Sequence, residues 1–266
     1  MSAYENCESQ VRRHDPNRYF AALFAPAKKR RYLFALYAFN YEIAHISETV
    51  REPMLADIRL AWWRETVESA RAGTPRNHDV AHALARTLKK NHLRQEYFER
   101  MIAARAFDQS KELFADMGAL EEYADATSGS VMRLAARVLG ASNRLDAVAR
   151  EAGIAYALAG LLRSIPFHAA RGKLFLPADL LREAALSPDE IFAGQGGEKL
   201  ETVKTKIAQR ALRRLSSARK YTIPREALAA FLPAALVPLM LRSRKAELPL
   251  YRRQIALYGA AWRKRI

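Results

Sequence analysis

Cysteine is almost absent: Cys7 is the only one in 266 residues. It has no partner for an internal disulfide, which points to a reducing compartment. Glycine and proline are sparse as well, 11 of each, while half the residues are hydrophobic. That balance excludes fibrous and disordered chains. Long apolar runs are lacking too. Charge breaks each one before the roughly 18 residues that a membrane-spanning helix needs. The opening residues, MSAYENCESQVRRHDPNR, contain Glu5, Glu8 and Asp15 and no apolar stretch. They speak against a signal or transit peptide. Residues 1–14 are expected to be disordered.

Acid is the remaining scarcity. Lys and Arg number 44 against 28 Asp and Glu, a net charge of +16. No carboxylate occurs from Ala152 to Ala178. Between Glu201 and Glu226 stand eight cations and no acid, and from Arg242 to Ile266 eight more face Glu247 alone. Such an excess attracts anionic surfaces: lipid headgroups, nucleic acid or diphosphates. The last stretch, 242–266, reads as a basic C-terminal helix. It mixes Tyr251, Ile255, Leu257, Tyr258 and Trp262 with Arg and Lys, a composition suited to a membrane interface. The partner expected is therefore an anionic membrane surface or an acidic protein. No helix-turn-helix, zinc finger or aromatic RNA platform supports nucleic acid. The expected location is cytoplasmic, peripheral at the inner membrane.

What is present is helical periodicity. Leu33, Leu36, Tyr37, Asn40 and Ile43 recur at spacings of three and four, as do Ile58, Ala61, Trp62 and Glu65. Strand alternation with tight-turn dipeptides is missing; only "KLFLP", Lys173 to Pro177, suggests extended structure. The spacing predicts helices over about 27–50, 54–73, 78–92, 94–115, 119–139, 143–165, 178–183, 187–193, 198–221, 225–244 and 248–264. Ser187 followed by Pro188 marks a helix start. Pro166 is expected to end the helix before it. Ser128–Gly129–Ser130 marks a close helix approach. No linker divides the chain, so one all-α domain over 1–266 is expected.

Five segments in order resemble the squalene/phytoene synthase family. They are "RRYLFALYAFN" (Arg30–Asn40), "LAWWRETVE" (Leu60–Glu68), "EEYADATSGSVMRLAARVLG" (Glu121–Gly140), "GIAYALAGLLR" (Gly153–Arg163) and "ARGKLFLPADLL" (Ala170–Leu181). The resemblance implies an isoprenoid-synthase-type helical bundle around a central cavity. It also implies two acidic motifs across that cavity, holding Mg²⁺ against a diphosphate. Mg²⁺ takes hard oxygen ligands, and a departing diphosphate must have its charge neutralised.

Here the motifs depart from the pattern. Where the family carries paired Asp followed by a third, this chain has Ala44, His45 and Glu48. Where the second motif carries two Asp, it has Ser164 and His168. One carboxylate survives at five positions. Alanine and serine cannot neutralise Mg²⁺, and histidine serves it poorly. Tyr41, Arg163 and Arg171 remain as candidates for holding an anion directly. His45, Glu48 and His168 are open to two readings: hydrogen-bonded cavity side chains, or a transition-metal site.

The resemblance is to a degenerate branch of the family that includes a mitochondrial complex I assembly factor. It implies a pseudoenzyme: a non-catalytic, membrane-associated assembly factor, with a retained lipid or isoprenoid pocket and no cofactor. The alternative is an active farnesyl or geranylgeranyl diphosphate transferase with atypical metal ligands, such as Glu42 with Glu48. Only that alternative calls for Mg²⁺.

Overall fold

The computed structural model describes residues 1–50, 52–243 and 248–266. The described residues form fifteen α-helices. These are α1 (Ala3–His14), α2 (Pro16–Ala22), α3 (Ala27–Thr49), α4 (Pro53–Ala72), α5 (Asp79–Lys90), α6 (Gln95–Ala104), α7 (Met117–Ala124) and α8 (Ser130–Val138). They continue as α9 (Asp146–Ala169), α10 (Ala178–Glu183), α11 (Pro188–Phe192), α12 (Gly197–Ala218), α13 (Leu228–Phe231), α14 (Val237–Arg242) and α15 (Leu250–Trp262). Among the described residues the only β-type pairing is an isolated bridge, Phe114 to Pro177. It catches the end of "KLFLP", and the Ala178 N–H donates to the Phe114 carbonyl at 2.7 Å. The all-α expectation holds.

Residues 1–14 are not disordered: Ala3–His14 fold as α1, with Ser2 as its cap. Ser2 and Glu5 make a reciprocal capping box, satisfying two donors at the helix start. Cys7 and Val11 face inward and are fully buried, and α1 packs on α3 and α5. The amphipathic spacing of those two residues supplies the burial that holds the helix.

Pro166 does not end α9, which runs on to Ala169. Proline removes one N–H but keeps its carbonyl, and the Pro166 carbonyl accepts from Ala170 N at 3.1 Å. Pro166 is exposed, so its ring meets solvent rather than the packed side of α9. The expected helix 225–244 is instead broken into short turns, with 3₁₀ segments at Arg225–Ala227 and Leu232–Leu236 around α13 and α14. Pro233 and Pro238 each sit in a first turn, where the lost N–H costs nothing, and each restarts the helix. Residue 244, the predicted end of that helix, and residues 245–247 of the basic C-terminal stretch lie outside the described residues. The expected helix 94–115 stops at Ala104 and passes into a 3₁₀ turn, Arg105–Gln109. There Arg105 and Tyr123 draw Asp108 inward.

The long helices α3 and α9 organise the centre. Tyr37 and Phe39 on α3 and Ile154, Ala155 and Leu158 on α9 are buried within one continuous cluster that reaches from Cys7 to Ile266. A one-turn π segment, Asp125–Gly129, separates α7 from α8. It lies against α9 so tightly that a Cβ on Gly153 would stand 2.5 Å from the Gly129 Cα. The Ser-Gly-Ser step predicted this approach.

Candidate functional site: an arginine-lined cavity

The first turn of α2, the π segment and the middle of α9 enclose an open cavity of about 450 Å³. Among the described residues four arginines line it, Arg18, Arg105, Arg163 and Arg253, with one carboxylate, Asp15. They arrive from four separate elements: α2, the 3₁₀ turn after α6, α9 and α15.

Arg18 is buried because Asp15 caps α2 and turns it inward. Asp15 accepts from the Arg18 N–H at 3.1 Å and from its Nη1 at 2.7 Å. The guanidinium lies over Tyr156 at 5.2 Å and Tyr37 at 5.8 Å. Burial opposes its charge, but Asp15, with Tyr156 behind it, outweighs burial and raises its pKa. Arg105 is held by Asp108 at 3.1 Å and the Tyr123 hydroxyl at 2.9 Å. The same hydroxyl donates to Asp108 at 2.6 Å. Arg105 Nε is buried with no hydrogen-bond partner, a donor that a ligand or water would satisfy. Arg253 donates to the Leu248 carbonyl at 2.9 Å and to Asn17 Oδ1 at 3.4 Å. Asn17 in turn donates to the Tyr156 hydroxyl at 3.0 Å. Arg163 donates to the Met240 carbonyl at 3.2 Å. Burial first, and then the charge of Arg253, lower the Arg163 pKa.

The residues singled out in the sequence divide among three places. Arg163 and Ser164 line the cavity. Tyr41, His45 and Glu48 sit toward the end of α3. There His14 stacks on Tyr41 at 4.4 Å, Tyr41 stacks on His45 at 5.0 Å, and His45 Nδ1 bonds Glu48 Oε2 at 2.7 Å. Ala44 is half-buried beside them and Glu48 is exposed. Burial, then the Glu48 charge, raises the Tyr41 pKa. His168 and Arg171 form the third group. His168 packs on Phe175 at 4.6 Å, and Arg171 lies over the Phe167 ring at 3.6 Å in solvent. Burial, reinforced by Arg171 and Lys173, lowers the His168 pKa to about 4. Arg171 therefore does not reach the cavity.

Nor is a His45–Glu48–His168 metal site assembled. Among the described residues no group of three or more His, Cys, Asp or Glu is placed to hold a metal ion. Glu42, the other acid of the enzymatic alternative, accepts from Gln10 instead. The family's Mg²⁺ cluster does not fit this donor set: Ser164 offers a neutral hydroxyl and the cavity wall offers guanidinium groups, which repel a cation. What the arrangement can do chemically is bind an anion by charge-assisted hydrogen bonds.

Sequence reading missed Arg18, Arg105 and Arg253. The one signal available was "HDPNR", a cap followed by proline, which fixes Arg18 on the first turn of a helix.

A helical fold around such a cavity is that of the isoprenoid synthases. A ligand-bound dehydrosqualene synthase superposes with a TM-score of 0.84 over 98% of this chain and 96% of its own, at 17% identity. The squalene synthase HpnC of Alicyclobacillus acidocaldarius gives 0.76 over 98% and 94%, at 20% identity. At these identities the likeness is one of fold. The chain belongs to the squalene/phytoene synthase family, whose profile matches residues 11–253. Among curated relatives, the human NADH dehydrogenase (ubiquinone) complex I, assembly factor 6, is 28% identical over 97% of this chain and 81% of its own length. The mouse protein of the same name is 28% identical over 97% and 82%. The chloroplastic phytoene synthase of Narcissus pseudonarcissus is 24% identical over 79% and 51%.

Proposed function

We propose that this chain is a non-catalytic member of its family: a membrane-associated assembly factor of the respiratory complex I type, whose cavity takes an anion-headed lipid or isoprenoid. The observation that carries the reading is the loss of the family's carboxylates beside a cavity lined by arginines. At five positions of the family's acidic pattern only Glu48 is a carboxylate, and it is exposed and bonded to His45. Arg18, Arg105, Arg163 and Arg253 meanwhile surround the space. Ionising an allylic diphosphate requires neutralising the leaving group as its bond breaks. Fixed guanidinium groups hold the anion in the ground state just as well, which favours binding over turnover. The relatives named as complex I assembly factors support a protein partner among complex I components. No helix among the described residues is long and apolar enough to cross a membrane, so the attachment proposed is peripheral.

The test is genetic. Deletion in the encoding organism is expected to reduce fully assembled complex I on native gels, with prenyl products unchanged. Normal complex I together with missing prenyl products would overturn the reading in favour of the transferase.

A further inference from the structure

The C-terminal helix α15 is apolar on two sides, and only one of them serves the core. Leu257 and Ala260 face inward and are buried. On the other side Tyr251, Ile255, Tyr258 and Trp262 are 57%, 68%, 60% and 78% exposed. At about 100° per residue these four share an arc of roughly 60°, opposite the buried pair. Phe24, at the end of α2, is also exposed and extends the strip, its ring 6.4 Å from Tyr258. A contiguous exposed apolar face of this kind marks a contact surface.

The margins of the strip are basic. Arg252 bonds the Tyr251 hydroxyl at 3.3 Å. Arg263 lies back along the helix over Gly259, where a Cβ would meet its Nη1 at 3.3 Å. Lys264 and Arg265 follow, and no Asp or Glu occurs from Leu248 to Ile266. Aromatic rings on one face with cations beside them match the acyl–headgroup boundary of an anionic bilayer. A second copy of a chain with net charge +16 would set basic margin against basic margin. The helix is fixed to the body rather than loosely attached. Leu248 and Ile266, on either side of it, are buried, and Arg219 Nε donates to the Ile266 carbonyl at 2.8 Å.

We propose that the Tyr251–Ile255–Tyr258–Trp262 face of α15, with Phe24, docks this protein on an anionic lipid surface. The proposal rests on the membrane-associated reading above and names the face that carries it out. It has a consequence for the cavity. Leu248 and Arg253, just before and within α15, line the cavity wall. Docking on this helix therefore sets the arginine-lined cavity beside the bilayer from which an anion-headed lipid would come.

The experiment is co-sedimentation of the full chain with two vesicle types, phosphatidylcholine containing 30% phosphatidylglycerol and phosphatidylcholine alone. Wild type is expected to bind the anionic vesicles, more weakly as salt rises, and to ignore the neutral ones. The double variant Ile255→Glu/Trp262→Glu removes two inserted side chains and is expected to lose binding about tenfold or more. Lys89→Glu on α5 has the same net charge as that double variant and is expected to bind within about threefold of wild type. Tryptophan emission gives a second readout that needs no disruptive change. A blue shift on anionic vesicles is expected in wild type and absent in Trp262→Phe.

Wild type that binds while the double variant binds equally overturns the face and leaves the membrane reading standing. Wild type that ignores both vesicle types overturns the membrane reading itself and leaves an acidic protein as the occupant. A wild-type dimer in sedimentation equilibrium, dissolved by the double variant, overturns the proposal in favour of a second copy.

Discussion

Replacing Gly153 by alanine probes the close approach of α9 to the π segment. The new Cβ would stand 2.5 Å from the Gly129 Cα, 2.6 Å from its N and 3.0 Å from the Ser128 carbonyl carbon. All three are backbone atoms, so no side chain can swing away. Restoring ordinary contact requires α9 and the π segment to part by about 1 Å. Overpacking of this kind costs about 1–3 kcal/mol, and a backbone-on-backbone clash belongs at the upper end. Better helix propensity returns at most about 1 kcal/mol. The net expectation is a loss of about 2 kcal/mol. At about 2.1 cal/mol/K per residue, unfolding this chain carries an entropy near 0.6 kcal/mol/K, so Tm falls by about 3–4 °C. Gly160 on the same helix is the control: nothing lies within 4 Å of its Cβ position. Gly160→Ala is expected to hold or raise Tm by up to about 2 °C. Differential scanning calorimetry of both variants decides the matter. A Gly153→Ala protein melting within about 1 °C of wild type would refute the close-approach argument.

Three further outcomes follow from burial and charge. Burial alone would raise the Glu121 pKa, but hydrogen bonds from Arg214 and Arg210 outweigh it and bring it down to about 2. Glu121→Gln should therefore lose about 2–3 kcal/mol in urea unfolding at pH 7. The wild-type advantage should fade as pH drops from 4.5 toward 2, where the carboxylate protonates in both states. The His168 pKa is lowered from 6.5 to about 4, so its contribution is present above pH 6.5 and lost as pH falls toward 4. The full displacement corresponds to about 3 kcal/mol. Solvent at the partly exposed ring reduces this, and wild type should lose about 1–2 kcal/mol relative to His168→Gln across that window, read by denaturant titration at each pH. Burial pushes the Cys7 thiol up to about 12, so iodoacetamide at pH 8 should label it only after unfolding, and rapid native labelling would refute its placement in the core.

Helix positions were legible because core residues recur at three and four along α3, α4 and α9, and because Ser187–Pro188 is a local start signal. The ends were less so. Pro166 reads as a stop, yet its ring points to solvent and α9 closes beyond it. Pro233 and Pro238 read as helix interior, yet each opens a new turn. Disorder was expected for 1–14, but two inward residues, Cys7 and Val11, hold α1 in place. The site divides in the same way. Lost aspartates are visible in a sequence because a motif supplies their expected places, which is how Ser164 and Arg163 were found. Arg18, Arg105 and Arg253 belong to no motif, and 44 basic residues hide three that turn inward. Their convergence depends on α2, the turn after α6 and α15 meeting in space, separated by 87 and 148 positions along the chain. Arg171 misled in the opposite sense. It follows directly on α9, but beyond Ala169 the chain turns away and leaves the guanidinium on Phe167.

The most direct measurement is pyrophosphate release by the purified chain given farnesyl or geranylgeranyl diphosphate and Mg²⁺, with tight binding of the same diphosphates followed in parallel by calorimetry. The expected result is binding that does not need Mg²⁺, weakens when Arg253 is replaced by alanine, and is accompanied by no release above the protein-free background. Mg²⁺-dependent release of pyrophosphate with formation of a joined prenyl product, abolished by Glu48→Gln, would contradict it.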